Sequence, residues 1–206
     1  MAERKRRSGV SAGPRVYLRA PVARDRDEFL ELNRKSTRLF RGLASPMVSP
    51  RAFSAYVTRS TTAEFAGMLI CREADDAIVG CVNLGQIVRG VFQSAYMGYQ
   101  IFAPFAGQGY MTAAMPLVLR LAFRTLKLHR VEANIQPGNL PSLATVRRAG
   151  FHREGYSPRY LKIAGRWRDH ERWTMTVEDW REQQGRARAK SPGRAGKPWH
   201  KTRDRS

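Results

Sequence analysis

The stretch Ala103-Pro104-Phe105-Ala106-Gly107-Gln108-Gly109-Tyr110-Met111-Thr112 decides how this chain folds. It follows a predicted strand and runs directly into a segment whose apolar residues recur at helical spacing. In such a strand–turn–helix unit, unpaired amides and the helix dipole favour an anion. Gly107 and Gly109 also lack the Cβ atoms that would hold a phosphate away from the backbone. The stretch therefore predicts an anion site, although it matches neither the dinucleotide fingerprint nor a Walker loop.

The segments before this stretch predict helices and an antiparallel meander. Asp25 is expected to cap a helix that ends near Ser36, and Pro50 suits the first turn of a second helix that runs to Thr58. Strands are predicted at residues 16–19, 67–71, 78–84 and 95–102.

A strictly alternating strand follows the glycine-bearing helix, at residues 129–136. Its apolar residues point one way, while Glu132, Asn134 and Gln136 point the other way. A polar face on an interior strand suggests a wet cleft, and an ordinary solvent-facing strand is the alternative. A short helix between Pro141 and Gly150 comes next, and two strands at 152–163 and 167–177 end the pattern. The predicted fold class is α/β (α+β).

The charge of the 206 residues is concentrated at the two ends of the chain. Lys and Arg number 37 against 17 Asp and Glu, which gives a formal net charge of +20. We predict a basic disordered tail at 1–14, one domain at 15–183 and a second basic disordered tail at 184–206, because the ends lack hydrophobic periodicity. Such tails would attract RNA or the ribosome, and a purely solubilising role is the alternative.

Several classes of protein are excluded by composition. No window approaches the ~20 apolar residues of a membrane span, and the basic N-terminus has no apolar run behind it, so we expect neither membrane insertion nor a signal peptide. Cys71 and Cys81 lack metal-ligand spacing and are expected to be buried free thiols in a reducing cytoplasm. The four histidines lie far apart in the sequence, so no metal site is predicted.

A set of short motifs in one order makes the chain similar to a known family. They are Gly98-Tyr99, Gly107-Gln108-Gly109-Tyr110-Met111, His129-Arg130-Val131-Glu132-Ala133-Asn134, Asn139-x-x-Ser142, Ala149-Gly150-Phe151-x-x-Glu154-Gly155-Tyr156 and Gly165-x-Trp167-x-Asp169-His170. Together they resemble the GNAT acetyltransferase superfamily. Within it the chain looks like the RimJ/RimL-type ribosomal-protein-alanine N-acetyltransferases, and most of all like the RimJ type.

The resemblance implies a GNAT fold with a mixed, mostly antiparallel sheet that splays open between the strands at 95–102 and 130–136. Acetyl-CoA, the co-substrate, would lie in this opening. The resemblance places its pantetheine arm along the backbone of Gln100, Ile101 and Phe102. Its pyrophosphate would rest on the amides of Gly107, Gln108, Gly109, Tyr110, Met111 and Thr112, with Asn139 and Ser142 also on the cofactor side.

The resemblance also suggests which residues act in acetyl transfer. Ser142 is a candidate to protonate the CoA sulfur. Asn134 stands where RimI-type relatives carry a glutamate, and an amide cannot be a base. Glu132 could be a base through a water, or it could be an ion-pair carboxylate near Arg130. Tyr99 and Tyr160 would line the acceptor site, with desolvation of the amine as an alternative to any dedicated base. His170 is expected to be structural.

Three functions follow as hypotheses. The first is an acetyl-CoA-dependent N-acetyltransferase that transfers acetyl to the N-terminal α-amine of a protein, above all a ribosomal protein. The second is a GNAT enzyme that acts on a small-molecule amine. The third is a non-catalytic ribosome- or RNA-binding module. A strongly basic chain disfavours polyamine and aminoglycoside acceptors, because like charges repel.

Overall fold

A computed structural model of the chain describes residues 13–189, and its centre is a seven-stranded sheet. The strands are β1 (Val16–Arg19), β2 (Phe65–Arg72), β3 (Ile78–Val88), β4 (Ser94–Ile101), β5 (Arg130–Ile135), β6 (His152–Ile163) and β7 (Arg166–Thr176). They lie side by side in the order β1-β2-β3-β4-β5-β7-β6. The predicted meander is β2-β3-β4, and each predicted strand is present.

The sheet opens in its middle. Every neighbouring pair is antiparallel except β4 and β5, which run parallel. This parallel pair holds together only from Ser94↔Arg130 to Tyr96↔Glu132, and beyond that the two strands separate. The mixed sheet and its splay are therefore as predicted.

Five helices cover the sheet: α1 (Arg26–Ser36), α2 (Pro50–Arg59), α3 (Tyr110–Arg120), α4 (Leu140–Ala149) and α5 (Val177–Ala189). The side chain of Ser49 caps α2 by accepting from the amide of Ala52 at 3.2 Å, and Pro50 fits the first turn. Asp25 precedes α1 but makes no side-chain cap; its carboxylate binds Arg19 and the amide of Val22 instead.

Two apolar clusters lie on opposite faces of the sheet. Alternate residues of β2 show this, because Leu69 packs with α1 and α2 whereas Ile70 packs with α3, α4 and α5. Cys71 and Cys81 belong to the first of these clusters, and both are buried and free, as predicted. The opening between β4 and β5 is therefore reached from two differently covered faces.

The last helix extends past the predicted end of the domain. Helix α5 continues to Ala189, so residues 184–189 are helical and their assignment to the C-terminal tail is wrong. The helix is tied to the core through Gln183, whose side-chain Nε2 donates to the carbonyl of Gly150 at 3.2 Å. Residues 1–12 and 190–206 lie outside the described residues, so disorder there stays a prediction. No helix between residues 13 and 189 is long and apolar enough to cross a membrane.

The contact between β3 and β4 allows no side chain at Gly80. A Cβ at this position would lie 2.4 Å from the carbonyl oxygen of Gln100. Gly80→Ala should therefore lower the free energy of unfolding by about 1–3 kcal/mol, the usual cost of an overpacked site. Urea denaturation measures this change. Gly98→Ala on β4 is the matched control, since a Cβ there meets no atom within 4 Å; equal destabilisation of both variants would contradict the close approach.

Candidate active site

A cavity of about 320 Å³ lies where β4 and β5 separate, and residues from both faces of the sheet line it. No Asp, Glu, Lys or Arg of the described residues belongs to this lining. Its polar character comes instead from neutral groups, above all six side-chain amides. These amides are Asn33, Asn83, Gln100, Asn134, Gln136 and Asn139.

The free edge of β4 presents backbone groups to this cavity. The amide of Phe102 donates to the carbonyl of Val79 at 3.0 Å, so Phe102 is bonded towards β3. Along an antiparallel strand, the backbone N–H and C=O groups of successive residues point alternately to the two sides of the strand. The backbone groups of Gln100 therefore also face β3. The N–H and C=O groups of Tyr99 and Ile101 face the opening instead. Of the three residues predicted to follow the cofactor arm, Ile101 is thus the one with free backbone groups.

The glycine-bearing turn ends in a row of free amides. Gly107 has a φ of +75° and Gly109 has a φ of +83°, so both adopt the left-handed conformation that glycine tolerates best. No backbone amide from Gly107 to Thr112 donates to another group within residues 13–189. The Met111 side chain is buried in the core.

These features fit a coenzyme A thioester. The consecutive amides that run from Gly107 into the first turn of α3 can donate to a diphosphate, where the helix dipole adds to the attraction. The unpaired edge of β4 can hold an extended amide-containing arm in the way that a strand would. The residues present are therefore suitable for the co-substrate that the sequence suggests.

Asn139 and Ser142 lie where α4 begins, on the far side of the opening from β4. The Asn139 side chain accepts from the amide of Ser142 at 3.3 Å and so caps α4. The hydroxyl of Tyr99 donates to the carbonyl of Ser142 at 3.0 Å and joins the two walls. Burial raises the pKa of Tyr99 to about 12, so its proton is retained at neutral pH. The side chain of Ser142 also lies within reach of the Tyr99 hydroxyl.

Asn134 on β5 and Gln136, the residue that follows this strand, line the same cavity. Gln136 Nε2 donates to the carbonyl of Gly42 at 2.9 Å and holds the loop between α1 and α2 against the cavity. The Oδ1 atom of Asn134 is buried and has no hydrogen-bond partner among the described residues. Such an oxygen is costly to leave unpaired, and it is available to a ligand.

Glu132 shares the face of Asn134 but does not line the cavity. Its carboxylate accepts from Arg130 Nε at 2.9 Å, and the guanidinium of Arg130 also binds Glu154. The geometry supports the ion-pair interpretation of Glu132 over a role as base. Tyr160 also lies outside the lining, where it packs edge-on against the imidazole of His170 at a centroid distance of 6.1 Å.

His170 lines the cavity although the sequence suggested a structural role for it. It is only 3% exposed, and its Nδ1 atom lies 2.9 Å from the carbonyl oxygen of Arg168. Burial lowers the pKa of His170 below 6.5, against smaller raising effects of this hydrogen bond and of Asp169. Alternate residues of β7 lie on the same side of the sheet as the polar residues of β5. This alternation is the sequence signal that could have placed His170 in the cavity.

Nothing in the described part of the chain groups three or more His, Cys, Asp or Glu side chains in a way that could hold a metal ion. The described residues that line the cavity offer amides, hydroxyls, the thiol of Cys81 and one imidazole as its polar groups.

Comparison with known proteins agrees with this geometry. The family model described as an acetyltransferase (GNAT) domain matches residues 15–152. An Escherichia coli ribosomal protein uS5-alanine N-acetyltransferase is 41% identical over 103 residues, which cover 50% of this chain and 53% of that protein. The chain spans about half the length of the curated relatives it matches.

Solved structures extend the similarity over most of the described residues. Mycobacterium smegmatis RimJ in complex with CoA-disulfide has 27% identity and a TM-score of 0.72, over 80% of this chain and 83% of that one. A spermidine N-acetyltransferase from Vibrio cholerae, at 19% identity and a TM-score of 0.69 over 80% of this chain and 97% of that one, shares the fold alone. From the family match and the splayed sheet together, the chain belongs to the acetyltransferase (GNAT) domain family.

Proposed function

We propose that the chain is an acetyl-CoA-dependent N-acetyltransferase that acetylates the N-terminal α-amine of a protein, with a ribosomal protein as the preferred acceptor. The observation that carries this proposal is the cavity lined by side-chain amides and free of charged residues, next to the row of free amides. Similarity to the uS5-alanine and RimJ enzymes supports the same acceptor class.

The lining favours a peptide over a polyamine. Asn and Gln side chains can both donate to and accept from a peptide backbone, which carries one N–H and one C=O per residue. A polyamine carries several positive charges and is held by carboxylates, and no carboxylate of the described part of the chain lines this cavity. An α-amine, with a pKa of about 8, also needs less deprotonation at neutral pH than an alkylamine of pKa about 10.

Acetyl-CoA supplies the acetyl thioester that the amine attacks. Its pyrophosphate would be held by the amides of Gly107 to Thr112 and its arm by the edge of β4 at Tyr99 and Ile101. An amide N–H on that edge is placed to donate to the oxygen of the thioester carbonyl as negative charge develops there. Because ribosomal proteins are made in the cytoplasm, the proposal places the enzyme there.

Ser142 is the proposed proton donor to the departing sulfur. The Tyr99 hydroxyl lines the same cavity, but its hydrogen already bonds the carbonyl of Ser142. Ser142 lines the cavity at the wall against which the arm would run. A serine hydroxyl can receive a proton from the amine side while it gives one to the sulfur, so it needs no permanent charge.

The direct test offers acceptors in competition. Labelled acetyl-CoA is supplied with peptides that begin with Ala or Ser and contain an internal lysine, together with spermidine and an aminoglycoside, and mass spectrometry locates the acetyl group. We expect acetylation of the peptide α-amine. Exclusive labelling of spermidine or the aminoglycoside would favour the small-amine alternative, and binding of RNA with no acetyl transfer to any acceptor would favour the non-catalytic module.

Gly109 provides a test of the co-substrate site. Valine is a poor residue at a φ of +83°, so Gly109→Val should redirect the first amides of α3 and raise the Kd for CoA by more than about tenfold. Asparagine tolerates the left-handed conformation, and Gly109→Asn should therefore bind CoA more tightly than Gly109→Val. Calorimetric titration measures both, and unchanged affinity in folded Gly109→Val would contradict the site.

Ser142 provides a test of proton transfer. Ser142→Ala should lower kcat by about 10²–10⁴-fold, the usual contribution of an acid–base group, with little change in the Kd for acetyl-CoA. Ser142→Cys keeps a dissociable proton at the same place and should lose less. Steady-state kinetics with a peptide acceptor measures both variants. A loss of only a few-fold in Ser142→Ala would mean that water protonates the sulfur.

The basic C-terminal segment provides a test of partner binding. Residues 190–206 carry a net charge of +5 and follow the last described helix, so their deletion spares α5. The deletion should leave kcat on a short peptide unchanged, weaken binding to a poly(U) oligonucleotide, and make the plot of log K against log salt shallower. A full-length control with these Lys and Arg residues replaced by Gln should behave in the same way. Unchanged RNA affinity in both variants would contradict RNA binding by this segment and favour its solubilising role.

A further inference from the structure

We propose that His170 removes a proton from the incoming ammonium and that Asn134 Oδ1 holds that nitrogen while it does so. This inference rests on the proposed function and assigns the base of the same site. Three observations carry it: the position of His170 in the cavity, the fixed state of its ring, and the unpartnered oxygen of Asn134.

The ring of His170 is held in one tautomer. The carbonyl of Arg168 can only accept a hydrogen bond, so the Nδ1 atom 2.9 Å away must carry the hydrogen. In the neutral ring, Nε2 then has an available lone pair. A buried imidazole oriented by a second group at Nδ1 is the arrangement that a general base requires.

Strand register places His170 and Asn134 on the same side of the sheet. Asn134 pairs with Arg172 and Ile135 pairs with Glu171, so Gln136 stands opposite His170. Residues diagonal across an antiparallel pair have Cβ atoms about 7–8 Å apart or slightly less, and this is the relation of Asn134 to His170. One nitrogen between these two side chains can donate to Asn134 Oδ1 and to His170 Nε2 at the same time.

The groups around His170 keep it neutral at physiological pH. Gln136, which follows β5, is uncharged. Tyr160 on β6 packs edge-on against the imidazole ring. The titratable groups across the cavity are Tyr56, Cys81 and Tyr99, all with raised pKa values. On β7 itself the charged neighbours are Arg168, Asp169, Glu171 and Arg172. Since burial lowers its pKa, the base form of His170 predominates above pH 6.5.

The protons balance through this route. An ammonium carries three hydrogens, of which the first goes to His170 Nε2 and from there to solvent. The neutral nitrogen forms a C–N bond to the acetyl carbon as the C–S bond breaks. The second hydrogen goes to the sulfur, through Ser142 in the proposed function, and the third remains on the amide product. One proton is released for each acetyl group transferred.

The test compares pH profiles of His170→Gln and His152→Gln. His152 is an exposed histidine beside Asp179 and far from the cavity lining, so its variant should match the unsubstituted chain. In the unsubstituted chain, kcat/KM for a peptide should fall as the pH drops through the pKa of His170. In His170→Gln we expect kcat/KM at pH 7 to fall by about 10²–10⁴-fold while the CoA affinity stays unchanged. The remaining rate should rise as the free amine loses its proton at about pH 8.

The outcomes separate this inference from the proposed function. If peptides are acetylated and His170→Gln keeps the rate and the acidic limb, His170 is not the base while the function stands. If only a small amine is acetylated, the peptide function fails, and the same two variants test His170 with that amine. ¹⁵N NMR of the His170 ring gives a result without turnover. We expect hydrogen on Nδ1 and none on Nε2 at pH 7, with Nε2 shifted by an added N-terminal peptide, and the opposite tautomer would overturn the proposal.

Discussion

The pairing of β4 with β5 stops after three residue pairs, and the site depends on this interruption. Backbone N–H and C=O groups in a protein interior need partners. Ala95 of β4 pairs with Val131 of β5. Where the two strands separate, the backbone groups of Tyr99 and Ile101 have no such pairing residue on β5. The sheet is paired on both sides of this point and forms a rigid frame. The gap between β4 and β5 can bind a ligand that has amide groups of its own.

Two hydrogen bonds connect the elements around this gap. Tyr99 reaches from β4 to the carbonyl of Ser142 on one face, and Gln136 reaches from β5 to the carbonyl of Gly42 on the other. The row of free amides lies on the side of α3 and α4, whereas Asn134 and His170 face the side of α1 and α2. Acetyl donor and acceptor would therefore enter from opposite faces and meet within the sheet.

The sequence predicts local structure well here, because strict alternation, proline at helix starts and glycine at left-handed turns act over a few residues. The two glycines of the turn and the strand at 130–135 are examples. The environment of a side chain is harder to predict, since it depends on register. Glu132 and Asn134 look equivalent in the sequence, yet Arg130 engages the first and the cavity receives the second. His170 lies 34 residues beyond Gln136 in the chain, and only the pairing of β5 with β7 brings it to the site. The end of α5 is hard to predict from the sequence, because residues 184–189 contain Gly185 and two Arg but no large apolar residue.

The most direct test of the account is a titration of ¹⁵N-labelled protein with CoA, followed through the backbone amide resonances. The account predicts that the largest shifts occur at residues 107–112, with further shifts at Tyr99 and Ile101, since these amides have no hydrogen-bond partner among residues 13–189 and face the site. The amides of Gln100 and Phe102, which face β3, should shift less. Saturation with CoA that leaves residues 107–112 unchanged while other regions shift would contradict the account.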